Sequence, residues 1–210
     1  MTRRLLLLRH GRTAWNESGR AQGHADIPLD AVGQSQAPRV AMHVAALAPV
    51  ALWTSDLTRA RETCAAVERA TGLAAKVDER FREFDVGERQ GMVQAEFAAR
   101  FPAEHDAWTH GRDEPCVPGA ESTTDVVRRM VPALREAHDS LADGETGVVV
   151  THGACLRVAV LELLGWPQSS TRQLRGMDNC AWAELVDDAE RGALRLASWN
   201  VRPTDVPRGD

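Results

Sequence analysis

Two segments of the chain share one chemical grammar, Arg9-His10-Gly11 near the start and Thr151-His152-Gly153 far downstream. Each follows a short apolar run, Leu5–Leu8 or Val148–Val150, and each places an imidazole where a strand would end. Imidazole changes charge near neutral pH and can serve as base or nucleophile. An arginine beside it points to an anionic substrate. Arg59, in Ser55-Asp56-Leu57-Thr58-Arg59-Ala60, offers a second guanidinium, and Glu79, Glu83, Asp85 and Glu88 offer carboxylates in the middle of the chain.

The elements that must position these groups follow from pattern. Leu5–Leu8 is too short for a helix and suits a strand buried on both faces. Asp30–Leu47 reads as a helix opened by an Asp N-cap and continued despite Pro38, and Ala51–Thr54 as the next strand, a β-α-β unit of right-handed parallel type. Asp56–Thr71 is a helix stopped by Gly72, and Ala74–Asp78 is a short edge strand. Glu79–Gly119 breaks the rhythm, with Phe81, Phe84, Phe97, Phe101 and Trp108 among charges and Pro102, Pro115 and Pro118 as breakers. Ser122–Leu141 is an amphipathic helix with Val126, Val127, Met130, Leu134 and Leu141 on its apolar stripe. Thr146–Thr151 is a second central strand, Cys180–Val186 and Ala193–Trp199 alternate as strands around a hairpin-like turn at Asp187–Gly192, and a loose polar tail follows Val201. The expectation is an α/β fold: one domain over 1–210, a three-layer α/β/α sandwich with a mostly parallel central sheet and a short helical cap insertion at about 84–119. In such sheets ligands sit at the carboxyl ends of the strands, where His10 and His152 would lie.

Composition narrows the partners. The net charge of −5, with no basic stretch or tail, argues against nucleic acid and membrane surfaces, so an arginine cluster is local to a pocket. Cys64, Cys116, Cys155 and Cys180 form no C-x-x-C pair, which indicates neither zinc nor a redox motif. The four leucines after Arg4 are too few for a signal peptide, and no run approaches a transmembrane length, so the expected location is cytoplasmic.

The motifs resemble the histidine phosphatase superfamily, also called the phosphoglycerate mutase-like family, from Arg3 to about Asn200. Its signature is an Arg-His-Gly, a Ser-x-Leu-x-Arg-Ala helix start, a Glu midway and a distant His-Gly, here Arg9-His10-Gly11, Ser55–Ala60, Glu83 and His152-Gly153, all in order. Phe81 stands where the family more often has Leu, and Arg89-Gln90-Gly91 replaces the commoner Trp-Glu-Gly. The resemblance implies catalytic His10, Glu83, His152, Arg9 and Arg59. His10 would be the phosphoryl acceptor and Glu83 the general acid, while the arginines and His152 cradle the phosphate. Phosphate or substrate contacts would come from Arg9, Gly11, Asn16, Gln22, Gly23, Arg59, His152 and Gly153. His24 is a loop histidine within reach of substrate.

Phosphatase and cofactor-dependent phosphoglycerate mutase differ in whether water or a second phosphoglycerate takes the phosphoryl group. Ala120 follows Glu83 by only thirty-seven positions, a short cap that leaves room for water and favours the phosphatase. Leu174–Trp182 resembles the corresponding stretch of actinobacterial glucosyl-3-phosphoglycerate phosphatases. A non-catalytic phospholigand-binding module would be expected to lack His10 or Glu83. A metal hydrolase on His10, His24 and His152 lacks the Asp ligands and spacing such sites use. The partner expected is a small phosphorylated substrate, with no metal and no cofactor, and homodimerisation stays open.

Overall fold

Leu5, Leu6, Leu7 and Leu8 are all fully buried, and they alternate between two cores. Leu5 and Leu7 join Val126, Met130, Leu134, Leu156 and Val160. Leu6 and Leu8 join Val40, Val44, Ala60, Cys64 and Val67 on the opposite face. A strand apolar on both faces demands cover on both, and the chain supplies it.

The computed structural model describes residues 2–112, 116–188 and 192–203. In chain order these hold β1 (Arg4–Arg9), α1 (Ala14–Glu17), α2 (Ala31–Ala46), β2 (Ala51–Thr54), α3 (Thr58–Thr71), β3 (Lys76–Val77), α4 (Gln94–Arg100), α5 (Pro102–Thr109), α6 (Thr123–Asp139), β4 (Thr146–Thr151), α7 (Gly153–Leu163), β5 (Trp182–Asp188) and β6 (Ala193–Val201). The sheet order is β3-β2-β4-β1-β5-β6. The β1–β4, β2–β4 and β2–β3 pairings are parallel, and β5 and β6 add two antiparallel pairings at one side. The α2–α3 pair covers one face and α6–α7 the other, so the expected three-layer sandwich is what forms.

Local signals act where the sequence placed them. Asp30 caps α2 by accepting from Gly33 N at 2.8 Å, Ser122 and Asp125 form a capping box at α6, and Gly72 ends α3 with φ +75°. On α6 Val126, Met130 and Leu134 are buried as expected, with Leu141 just beyond, and Val127 is partly buried. Several boundaries move, with α3 starting at Thr58, β5 running on to Asp188 and β6 to Val201. The edge strand shrinks to Lys76–Val77, and β5 begins at Trp182 rather than Cys180. Cys180 takes a left-handed φ of +55° while its N–H donates to the His10 carbonyl at 3.2 Å, which takes it out of the extended run that begins at Trp182. Residues 189–191 of the expected turn, the breaker Pro115 and the tail beyond Pro203 lie outside the described residues.

The segment between β3 and α6 carries the short helices α4 and α5 and closes on itself at its base. Val86 bridges Ala120, and Glu88 N donates to the Pro118 carbonyl at 3.0 Å. Gly87 has φ +51°, and a Cβ there would overlap the Pro118 carbonyl, so the two ends of the insertion can meet only over a glycine. Among the described residues no helix is long and apolar enough to cross a membrane.

The turn after β1 depends on a second close approach. A Cβ on Gly11 would lie 2.9 Å from the Gly33 carbonyl, and one on Gly33 would overlap the Arg12 carbonyl. Gly33→Ala should therefore destabilise the fold by roughly 1–3 kcal/mol through overpacking. Urea unfolding beside the exposed control Gln34→Ala will show it, and equal midpoints for the two variants would contradict it.

Candidate active site

Register brings the two His-Gly segments together. Arg9 pairs with Thr151 across the parallel β1–β4 ladder, so His10 and His152 leave neighbouring strands at the same level. Their ring centroids are 5.1 Å apart. β2 ends beside them, with Thr54 opposite Val150, and Ser55 follows. From these ends the chain turns to opposite faces, into α2 after β1 and into α7 after β4, which opens a crevice between them.

The hydrogen bonds fix both tautomers. His10 Nδ1 lies 2.7 Å from the Gly11 carbonyl oxygen. A carbonyl can only accept, so Nδ1 carries the proton and Nε2 keeps its lone pair. At His152, Arg59 Nε donates to Nδ1 at 3.2 Å, which puts the proton on Nε2, 3.0 Å from Ser55 Oγ. Burial holds both imidazoles well below the usual histidine range, helped at His10 by the Arg9 and Arg59 charges and at His152 by Arg59.

Arg59 sits in the first turn of α3, whose N-terminus is capped from a distance by Asp26 accepting from Thr58 N at 2.7 Å. Its guanidinium also donates to the Gly23 and Ala25 carbonyls, both at 2.8 Å, and burial lowers its pKa to about 10. Arg9 donates through Nη1 to the Met177 carbonyl, while its Nε is buried with no partner among the described residues. Glu83 reaches the N-terminus of α7. Its Oε1 accepts from Cys155 N at 2.8 Å and Phe84 N at 3.0 Å, and its Oε2 from Ala154 N at 3.0 Å.

Arg9, His10, Arg59 and Glu83 line one cavity of about 710 Å³, together with Asn16, Gln22 and Gly23. Asn16 Oδ1 accepts from Thr13 N and Asn179 Nδ2, and Gln22 Oε1 from Thr13 Oγ1. The other three expected residues stand behind the wall. His152 is fully buried with both ring nitrogens engaged by protein, Gly11 N donates to Thr63 Oγ1 at 2.9 Å, and Gly153 lies beneath the Arg9 side chain. Any Cβ at Gly153 would crowd Arg9 Cδ at 3.2 Å, so this glycine gives the guanidinium its path.

His24 is placed differently from a substrate contact. Its Nε2 donates to the Glu83 carbonyl at 2.8 Å, and its Nδ1 is 3.6 Å from Asp85 Oδ2. It belongs to a scaffold around Glu83 that sequence reasoning missed. Arg129 donates to the carbonyls of Arg80, Arg82 and Glu83 at 2.9, 2.8 and 2.9 Å, and forks onto Glu121 at 2.7 and 2.8 Å. Arg82 forks onto Asp56 on the far side. In the sequence Arg129 is the twin of its neighbour Arg128, which faces solvent and pairs with Asp125, so no local signal separates them. Among the described residues no group of three or more His, Cys, Asp or Glu side chains could hold a metal ion.

Three comparisons bear on this site. Residues 5–202 match the family model for the histidine phosphatase superfamily, branch 1. The glucosyl-3-phosphoglycerate phosphatase of Mycolicibacterium vanbaalenii is 35% identical, with 95% of each chain covered. A Yersinia enterocolitica protein named a probable phosphoglycerate mutase is 34% identical over 94% of this chain and 90% of its own. Among solved structures, a mycobacterial glucosyl-3-phosphoglycerate phosphatase in complex with VO3 superposes with a TM-score of 0.86 at 33% identity, covering 94% of this chain and 98% of that one.

The neutral, buried imidazoles have a consequence for stability. With folded pKa values below the unfolded value, the unfolded chain takes up protons that the native state refuses as pH falls through 6.5. Stability must then fall with pH, by up to ~1.4 kcal/mol per pH unit for each imidazole. Urea unfolding at pH 7.5, 6.5 and 5.5 should give a declining free energy, with a shallower decline in His10→Gln. A flat profile would refute the assignment.

Proposed function

Because the chain belongs to the histidine phosphatase superfamily, we propose that it hydrolyses small phosphomonoesters through a phosphohistidine formed on His10 Nε2. The observation that carries this reading is the His10 tautomer. Nδ1 is committed to the Gly11 carbonyl, burial keeps the ring neutral, and the remaining lone pair belongs to a side chain on the cavity wall with Arg9 and Arg59. A neutral imidazole held beside two guanidiniums is a nucleophile that need not shed a proton first, and the same cations neutralise the phosphoryl oxygens.

In the first step Nε2 attacks phosphorus, the P–O ester bond breaks, and the leaving alkoxide takes a proton from the Glu83 carboxyl group. In the second, Glu83 deprotonates a water whose oxygen attacks the phosphorus of phospho-His10, and the N–P bond breaks to release phosphate. The loose transition state asks for positioning and charge neutralisation, which Arg9 and Arg59 supply. His152 acts by holding Arg59 and Ser55, and direct contact with phosphate would require it to give up the Ser55 bond. Asn16, Gln22 and Gly23 complete the wall near the phosphate. Gly11 and Gly153 serve the strand ends beneath it.

The substrate we assign is a sugar or glycerate phosphate such as glucosyl-3-phosphoglycerate, supported by the names of the relatives and by a cavity larger than a phosphate ion needs. We read the chain as one domain over 1–210 with a cap-like insertion at about 84–119, working in the cytoplasm.

Rapid quench of the wild type with phosphorus-labelled substrate should give an acid-labile, alkali-stable label on the protein that His10→Ala lacks. Its absence from the wild type would overturn the nucleophile. Glu83 makes a separate prediction. Glu83→Gln should lower kcat/KM for an alkyl phosphate by ~10²–10⁴-fold, and far less for p-nitrophenyl phosphate, whose phenolate leaves unaided. Arg129→Lys, which cannot fork to three carbonyls and a carboxylate, should show the same alkyl-over-aryl bias in weaker form. Equal losses on both substrates would assign the general acid elsewhere.

A further inference from the structure

Beyond the phosphate cradle, the cavity holds more positive charge than one phosphoryl group needs. Among the described residues seven arginines line it against four carboxylates, in a chain whose net charge is −5. The side chains of two of these arginines, Arg89 and Arg157, have no hydrogen bond or ion pair with any described residue, and the Nε of each is buried without an acceptor among them. Burial lowers both, Arg89 to about 10, and at Arg157 the nearby charge of Arg172 adds to the effect. Glu83 attracts Arg157 without pairing with it, and a desolvated guanidinium without a hydrogen-bonded anion is costly to keep, a cost that a ligand anion offsets.

Geometry makes both groups ready for one. The Arg89 guanidinium sits in the corner between the Phe97 and Trp108 rings, 4.2 and 4.5 Å from their centroids, with the two rings tilted 70° to each other, and these contacts hold it at the cavity wall. Arg157 lies three residues along α7 from Ala154, on the same helical face and about 4.5 Å further along the axis. It therefore stands roughly one turn beyond the N–H groups that hold Glu83. Gln168 completes the set. Its Nε2 donates to the Val158 carbonyl at 3.0 Å, while its Oε1 is a buried acceptor without a donor among the described residues, and it lines the same cavity.

We propose that Arg89 and Arg157 form a second anion subsite that binds a carboxylate on the substrate, with Gln168 Oε1 accepting from a neighbouring hydroxyl. The enzyme thereby selects phosphomonoesters of hydroxy acids over those of neutral alcohols. The assignment rests on the phosphatase reading and adds which residues read the rest of the molecule. One turn of helix between Glu83 and Arg157 suits an acid group a few bonds from the ester oxygen.

Non-hydrolysable phosphonates test the subsite without turnover. In calorimetric titrations the wild type should bind 3-phosphonopropionate at least ~10-fold more tightly than propylphosphonate, since the two share length and phosphonate and differ in the carboxylate. Arg89→Gln and Arg157→Gln should each bring that ratio to about 1–3. If Arg89→Gln does not fold, Arg157→Gln alone carries the comparison. Equal affinities in the wild type, or an unchanged ratio in the folded variants, overturn the subsite even if the enzyme hydrolyses phosphomonoesters. A protein that shows the ratio but hydrolyses none overturns the phosphatase reading and leaves the subsite standing. Failure to bind either phosphonate overturns both.

Discussion

The parallel register of β1 against β4 is the constraint from which the site follows. Because Arg9 faces Thr151, two histidines separated by most of the chain emerge side by side from strands buried on both faces. Strand pairing of that kind is rigid in a way that loops are not, since a one-residue slip would turn every leucine of β1 to the wrong core. The catalytic geometry thus shares its stability with the hydrophobic core. Burial does a second thing at the same place: it excludes the imidazolium form, so the histidines stay neutral without a base to deprotonate them.

Around this fixed pair the charged groups are held mainly by backbone. Arg59 is anchored by two carbonyls and His152, Arg129 by three carbonyls and Glu121, and Glu83 by three N–H groups. Backbone partners move less than side chains, and a forked guanidinium fixes several of them at once. The loop that carries Glu83 has little regular structure of its own, so Arg129, His24 and the N-terminus of α7 decide where its carboxylate stands. Glu83 in turn caps α7, which ties the general-acid candidate to the helix that follows His152.

The insertion divides the labour. Its base is locked over Gly87, while its helices contribute Phe97 and Trp108, whose rings hold Arg89 toward the cavity. The end of the cavity beside His10 and Arg59 is built by strand ends and the first turn of α3. The far end is built by the insertion, α7 and the turn at Gln168–Arg172. The proposed chemistry and the proposed selectivity thus rest on different elements.

Sequence alone determined the strands, the main helices and the four motif groups, because each rests on a local cause: apolar runs of strand length, an Asp or Ser cap, a Gly stop, an Arg-His-Gly at a strand end. It could place His10, Arg9, Arg59 and Glu83 in one site through the motif resemblance, and the fold brings those side chains to one cavity. What it could not decide are the contacts made across the chain. Gly11 and Gly153 look like phosphate-loop glycines in sequence, yet they are small because Gly33 and Arg9 pass against them. His24 looks like a loose loop histidine, yet it holds the Glu83 carbonyl. Arg129 and Arg128 are alike in the sequence, and only the packing of α6 against the Glu83 loop separates the scaffold from the surface. Such roles are set by which backbone atoms lie opposite a side chain, and that is a property of tertiary packing alone.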